Sequence, residues 1–286
     1  MTQRRPQIDR RALFTSAAAM ALLTASGVSA AGAPKRGGRL RMALSGAART
    51  DDWQVGDGLF MQVARQGMVF DTLTERAADG VLRGELATAW RSFEAGRIWE
   101  FDLRQDVSFH DGTPFTAKDA AQSLAPLVAG QVTAAGRLQL RISLDQPNPA
   151  LPFVLAAPGM IIRPAHAPEA GIGTGLYQIR RFQPGRQVLA ERVAQHYKDG
   201  SAGWFDEVEL TSIPSEQVRG EALGGYLVDA VDSRDAQGLS ALADVVLSPD
   251  ARSVMQGVST SVAQPARIGT HHPLDDLRAA ERWWFV

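Results

Sequence analysis

His110 and Asp111 stand side by side in the run Val107-Ser108-Phe109-His110-Asp111-Gly112. A His-Asp pair is the pattern of a general base with an orienting carboxylate. The competing reading is a hydrogen-bonded corner. Asp bonds its own backbone in turns and Gly112 tolerates positive φ, so the corner is the reading adopted. His271-His272, with Asp275 nearby, suggests a metal. Neighbouring loop positions rarely face one ion, and no further ligand recurs at the right spacing, so no metal is expected. The sequence has no cysteine, which removes a thiol nucleophile, a disulfide and a thiolate metal site. It has no Gly-x-Ser-x-Gly elbow, no His-Glu-x-x-His and no phosphate loop. The residues therefore predict neither an enzyme nor a cofactor site.

The elements around His110 explain its place. In Ile98–Arg104, Trp99, Phe101 and Leu103 alternate with Glu100, Asp102 and Arg104, the period of a half-buried strand. Val107 and Phe109 continue its apolar face. Thr116 precedes Ala117-Lys118-Asp119, an N-cap with an acid at the third helical position, so a helix is expected to about Leu124, before Pro126. Elsewhere, alternation predicts strands over Arg39–Leu44, Leu138–Leu144 and Glu207–Ile213. Helices are expected over Leu59–Leu73 and Ser215–Gly224. Tyr177–Phe182 and Gln187–Arg192 flank Gln183-Pro184-Gly185-Arg186 and predict a hairpin. Leu151–Ile162 reads as a short helix, a turn and a strand. Strands and helices mix without strict βαβ alternation, which predicts α/β or α+β layers.

Composition narrows the partners. The chain has 286 residues, 45% of them hydrophobic and 21% charged, with a net charge of -1. That balance makes no electrostatic case for nucleic acid or an anionic membrane. Residues 1–33 read as an export signal. Arg10-Arg11 precede Leu13-Phe14 and an Ala/Leu/Met-rich stretch, and small-residue cleavage sites follow at Val28-Ser29-Ala30 and Ala31-Gly32-Ala33. The paired arginines suggest the twin-arginine route, with an ordinary Sec signal as the alternative. With no cysteine for lipidation, the expected product is periplasmic, soluble and without a lipid anchor.

Three stretches together carry a resemblance. The first is Trp99-Glu100-Phe101-Asp102-Leu103-Arg104, then Val107-Ser108-Phe109-His110-Asp111-Gly112 and the Thr116-capped helix. The second is the lead-in from Phe70 to Trp90. The third is Gly173-Thr174-Gly175-Leu176-Tyr177, continued by the segment from Glu191 to Pro214. The chain resembles the family 5 extracellular solute-binding proteins of ABC importers, the dipeptide and oligopeptide binders, over most of Gly37 to Arg278. The resemblance implies a type II periplasmic-binding-protein fold, non-covalent solute capture and delivery to an ABC permease in the inner membrane. It makes Trp99, Phe101, Arg104, Phe109, His110, Asp111, Gly112 and Thr116 a structural signature. It places Ser45, Asp52 and Trp53 at the cleft, and Thr174 and Tyr177 near the hinge, as candidate ligand-binding residues.

The resemblance also implies two lobes. Here residues 34–270 would form the first lobe, with an inserted subdomain at about 55–155. His272-Pro273-Leu274-Asp275-Asp276-Leu277-Arg278 looks like the opening of the second lobe, so 271–286 would be its stump and the rest of that lobe would be absent. Trp283, Trp284 and Phe285 are then either part of a core helix or an apolar contact surface. The expected function is periplasmic capture of a small solute, of the peptide class. The alternatives are a one-lobed interaction module, self-associating through the uncovered face or without transport activity, and a small exported hydrolase using His110 and Asp111.

Overall fold

In the computed structural model, the described residues are 34–54, 56–77, 80–248, 255–263 and 283–285. The expected export signal and most of 271–286, including His271 and His272, lie outside them. The strands in chain order begin with β1 (Arg39–Leu44), β2 (Thr74–Arg76), β3 (Leu82–Gly84), β4 (Ala87–Phe93) and β5 (Ile98–Leu103). They continue with β6 (Gly130–Gly136), β7 (Gln139–Leu144), β8 (Tyr177–Gln183), β9 (Gln187–Arg192) and β10 (Glu207–Ser212). The last are β11 (Ala230–Ser233), β12 (Val245–Ser248), β13 (Met255–Ser259), β14 (Val262–Ala263) and β15 (Trp284–Phe285). The helices are α1 (Leu59–Ala64), α2 (Ala117–Leu124), α3 (Leu151–Val154), α4 (Glu216–Gly224) and α5 (Ala236–Ser240).

A seven-stranded mixed sheet has the order β12-β13-β11-β1-β10-β9-β8. β1 runs parallel to both neighbours, pairing Met42 with Leu210 on one side and with Ala230 on the other. Its side chains serve two cores. Leu40, Met42 and Leu44 pack with Phe60, Met61 and Val63 of α1 on one face. Ala43 packs with Ala222 and Leu223 of α4 and Leu239 of α5 on the other. A strand covered on both faces reads as a near-continuous apolar run, which Met42-Ala43-Leu44 is.

A separate antiparallel sheet, β4-β5-β7-β6, carries its own core. Trp99, Phe101 and Leu103 of β5 face inward with Leu140 and Ile142 of β7. Phe109 and Phe115 meet edge to face at 6.2 Å within that core. Thr116 and Asp119 close the expected capping box at the start of α2, each bonding the other's backbone.

Three local expectations are corrected. The Leu59–Leu73 pattern yields α-helix only to Ala64, because the chain then opens into a π-turn over Arg65–Val69. The strand expected before Ile162 does not form; Ile162 makes one backbone bond, to the carbonyl of Asp71 at 2.9 Å, with no ladder around it. Trp283, Trp284 and Phe285 form neither a core helix nor an open contact face. β15 pairs with β14, Trp283 is 1% exposed inside the main core, and Phe285 meets Phe205 edge to face at 4.8 Å.

Candidate functional site

β1 and its parallel neighbour β10 are strands from which the chain leaves to opposite faces of the sheet. After β1 it enters α1 on one face; between β10 and β11 it crosses as α4 on the other. In open sheets of this kind, ligands bind in the crevice outside the carboxyl ends of the strands at such a switch point. The loop after β1, the Ile213-Pro214-Ser215 turn and the start of α5 form that edge here.

The crevice floor is pinned by a carboxylate. Asp232 accepts from the backbone N–H of Ser45 at 2.8 Å and from its hydroxyl at 2.6 Å. Arg219 lies 3.4 Å from the same carboxylate and donates to the carbonyls of Asp232, Ile213 and Pro214. Ser45 therefore ties β1 to β11. Asp51 caps the following turn, accepting from the N–H of Ala48 at 2.7 Å. Asp52 accepts from the N–H of Gln54 at 2.7 Å and is exposed. Trp53 is 7% exposed, its ring 4.7 Å from that of Phe182 and 6.1 Å from that of Phe70. A Cβ on Gly171 would sit 2.6 Å from the Trp53 ring, so only glycine allows this packing.

Thr174 and Tyr177 are not brought to the crevice: Tyr177 opens β8 level with the amino end of β1, and Thr174 lies just before it. Thr174 is 2% exposed and its hydroxyl donates to Asp71 at 3.0 Å. His196 accepts from the N–H of Lys198 at Nδ1 and donates from Nε2 to the Thr174 carbonyl at 2.9 Å. Tyr177 is fully buried and its hydroxyl donates to the Phe205 carbonyl at 3.3 Å. Trp53 and Tyr177 share one core, whereas Ser45, Asp52 and Trp53 belong to one loop.

The His110-Asp111-Gly112 stretch forms the expected corner. Gly112 has φ +84°. Asp111 accepts from the backbone and hydroxyl of Thr113 at 2.9 and 2.7 Å, and pairs with His166 at 2.8 Å. Burial would raise the Asp111 pKa, but the bonds from Thr113 and His166 hold it below the usual value. His110 Nδ1 accepts from the Gly173 N–H at 3.3 Å, which leaves Nε2 to donate to the Gly175 carbonyl at 2.8 Å. Burial pushes its pKa down against the partial offset of that bond. With both ring nitrogens engaged by backbone, the geometry holds a corner in place and offers no free base. Among the described residues, no group of three His, Asp or Glu side chains is placed to hold a metal ion.

Arg104 of the signature donates to the Glu85 carbonyl at 2.9 Å and stacks 4.4 Å over the Tyr197 ring. Beside it, Lys198 is buried between Glu85 at 2.5 Å and Glu75 at 3.1 Å. Sequence reasoning missed this network, as it missed Asp71, His196, Arg219 and Asp232. Asp71, directly after Met68-Val69-Phe70, carries the signal of a charge in an apolar run, whereas His196, Lys198 and Arg219 lie among polar residues and carry none.

The family model described as "Bacterial extracellular solute-binding proteins, family 5 Middle" matches residues 81–276. The chain belongs to this family. The "Nickel-binding periplasmic protein" of Escherichia coli (strain K12) is 42% identical over 62 residues, 22% of this chain and 12% of the relative. The "Probable D,D-dipeptide-binding periplasmic protein DdpA" of the same organism is 26% identical over 186 residues, 56% of this chain and 36% of that protein. The structure of "the PBP AgaA in complex with agropinic acid from A.tumefacien R10" superposes with a TM-score of 0.67 at 26% identity. That match covers 73% of this chain and 47% of AgaA. The fold is of the type II periplasmic-binding-protein kind, and the chain spans about half the length of that relative and less of the other two. All three are named as binding proteins. No helix among the described residues is long and apolar enough to cross a membrane.

Proposed function

We propose that the protein is the exported solute-binding component of an ABC importer, and that it captures a small peptide-like solute at the carboxyl-end crevice beside β1. The observation that carries this reading is the switch point itself, with β1 parallel to both neighbours and the chain leaving to opposite faces. Such a crevice collects loops from several strands without disturbing the sheet. Asp52 supplies its exposed polar group, and Trp53 anchors the loop that carries it. Ser45 shapes the site through the bonds it makes to Asp232, whereas Tyr177, level with the amino end of β1, and Thr174 just before it support the core away from the crevice. Capture is non-covalent, and release goes to a membrane permease. The peptide class follows the D,D-dipeptide-binding relative, whose match covers more of this chain than that of the nickel-binding one.

Calorimetry and thermal unfolding of the full chain against individual di- and tripeptides test the reading. Saturable binding is expected. A ligand at about 100 times its Kd would stabilise the fold by about 2.7 kcal/mol. A flat thermogram and an unmoved Tm across the panel would overturn it.

A further inference from the structure

Two arginines, Arg65 and Arg163, stand beside the Trp53 loop. Arg65 opens the π-turn after α1, and Arg163 follows the apolar Ile161-Ile162 pair. Both are half-buried. Arg65 spends its donors on carbonyls: Nε on Met61 at 3.3 Å and Nη1 on Gln54 at 3.2 Å. Arg163 is held rigidly at its backbone, where its N–H donates to the Ser123 hydroxyl at 2.9 Å. Its Nε, however, is buried and has no hydrogen-bond partner.

The two lie on one surface. Gln66 donates to the Ala156 carbonyl at 3.1 Å, which lays the segment leading to Arg163 along the π-turn. Ile161 shares a core with Met61 and Trp53, and Arg65 reaches across to the residue after Trp53. Burial pushes the pKa values of both guanidinium groups down, and the charge of Arg163 adds to the effect on Arg65. Asp52 is within electrostatic reach of both, and Asp51 and Asp57 of Arg65. Asp51 and Asp52 already accept backbone N–H groups. A buried guanidinium N–H without an acceptor is costly unless a ligand supplies one. The planar guanidinium fork matches a carboxylate in two parallel bonds.

We propose that Arg65 and Arg163 form an anion subsite beside Trp53 that takes a carboxylate of the captured solute. The assignment deepens the proposed solute capture and rests on it. Arg163 supplies the unpartnered Nε–H, and Arg65 adds a second positive charge beside the loop that carries Asp52. The solute is then a carboxylate-bearing one, and its amide analogue is discriminated against.

Two readouts separate this subsite from solute capture as such. The first is the Arg163 Nε–Hε NMR signal of the full chain, assigned by its loss in Arg163→Gln and titrated with succinate and with succinamide. The second is calorimetry of dipeptides and their C-terminal amides on wild type, Arg163→Gln and Arg163→Lys. Succinate should move the signal saturably and succinamide should not. Arg163→Gln should lose about tenfold or more in affinity for the free-acid peptide and little for the amide. Arg163→Lys should recover part of that loss. If peptides bind wild type and Arg163→Gln equally and the signal ignores succinate, the subsite is refuted and solute capture stands. A signal that responds to succinate while no peptide binds would support the anion site and overturn peptide capture. If the signal ignores succinate and no peptide binds, both fall.

Discussion

The Nε2 of His110 donates to the carbonyl of Gly175 at 2.8 Å, across 65 residues of chain. This bond joins the corner after β5 to the glycine-rich entry of β8, and the Gly173 N–H closes it from the other side at 3.3 Å. One imidazole thereby holds together two segments that sequence reasoning treated as separate motifs.

The bond has a pH signature. Burial lowers the folded pKa of His110 below its ordinary value of 6.5. Between the two values the unfolded chain binds more protons than the folded one, so stability rises with pH through that window. It is fully present above about pH 6.5 and is lost as the pH falls toward the folded value. The Tm should therefore drop between about pH 7.5 and about pH 5.5. His110→Asn should be less stable at the higher pH and show a shallower slope. Parallel slopes would assign the acid sensitivity to another group.

Two glycines separate backbone strain from collision. Gly112 has φ +84° and open space where a Cβ would stand. Gly112→Ala should cost about 1–2 kcal/mol through conformation alone. A Cβ on Gly173 would stand 1.9 Å from the Val69 carbonyl oxygen, so Gly173→Ala must displace backbone. Its loss should exceed that of Gly112→Ala. Urea unfolding of both variants measures the difference, and the reverse order would contradict the packing of β8's entry on the π-turn.

Lys198 is 8% exposed and Glu85 fully buried. Lys198→Met removes the ammonium partner of the Glu85 carboxylate, which also accepts from the backbone and hydroxyl of Thr72 at 2.7 and 2.8 Å. A loss of about 3 kcal/mol is expected, the range for an uncompensated buried charge. Adding Glu85→Gln should restore part of it. A double-mutant cycle in urea tests this, and additive losses would mean that the two charges are not coupled.

Asp52 repels any anion that Arg65 and Arg163 attract. Asp52→Asn should tighten free-acid peptides by about threefold to tenfold, with a smaller gain at high salt. Calorimetry at two ionic strengths reads both effects. Unchanged affinity would place the bound carboxylate away from this loop.

The proposed export is tested at the expected signal, residues 1–33. Arg10→Lys with Arg11→Lys should leave the precursor in the cytoplasm on fractionation, if the pair is read by the twin-arginine route. Normal recovery outside the cytoplasm would assign the leader to the Sec route.

The sequence by itself determined what is local. Alternation at Trp99, Phe101 and Leu103 placed β5. The turn residues Asp111 and Gly112 placed the corner, and Thr116 with Asp119 the start of α2. Gln183 to Arg186 placed the hairpin between β8 and β9. Each depends on contacts within a few residues, where side-chain period and φ preference act directly. The same reasoning overran α1, because apolar spacing does not distinguish an α-turn from the π-turn over Arg65–Val69. It also misread Leu151–Ile162, where apolar residues are buried without a partner strand to pair them. Only the tertiary structure decided that β1 lies between β10 and β11, strands that begin more than a hundred and fifty residues later in the chain. It alone buried Trp283 beside the strands at the other end of the chain, put Asp232 under Ser45, and brought Arg65 and Arg163 to one surface. These are long-range juxtapositions, set by which apolar faces bury one another. No period or turn residue near Arg163 announces that its Nε–H will lie buried without an acceptor.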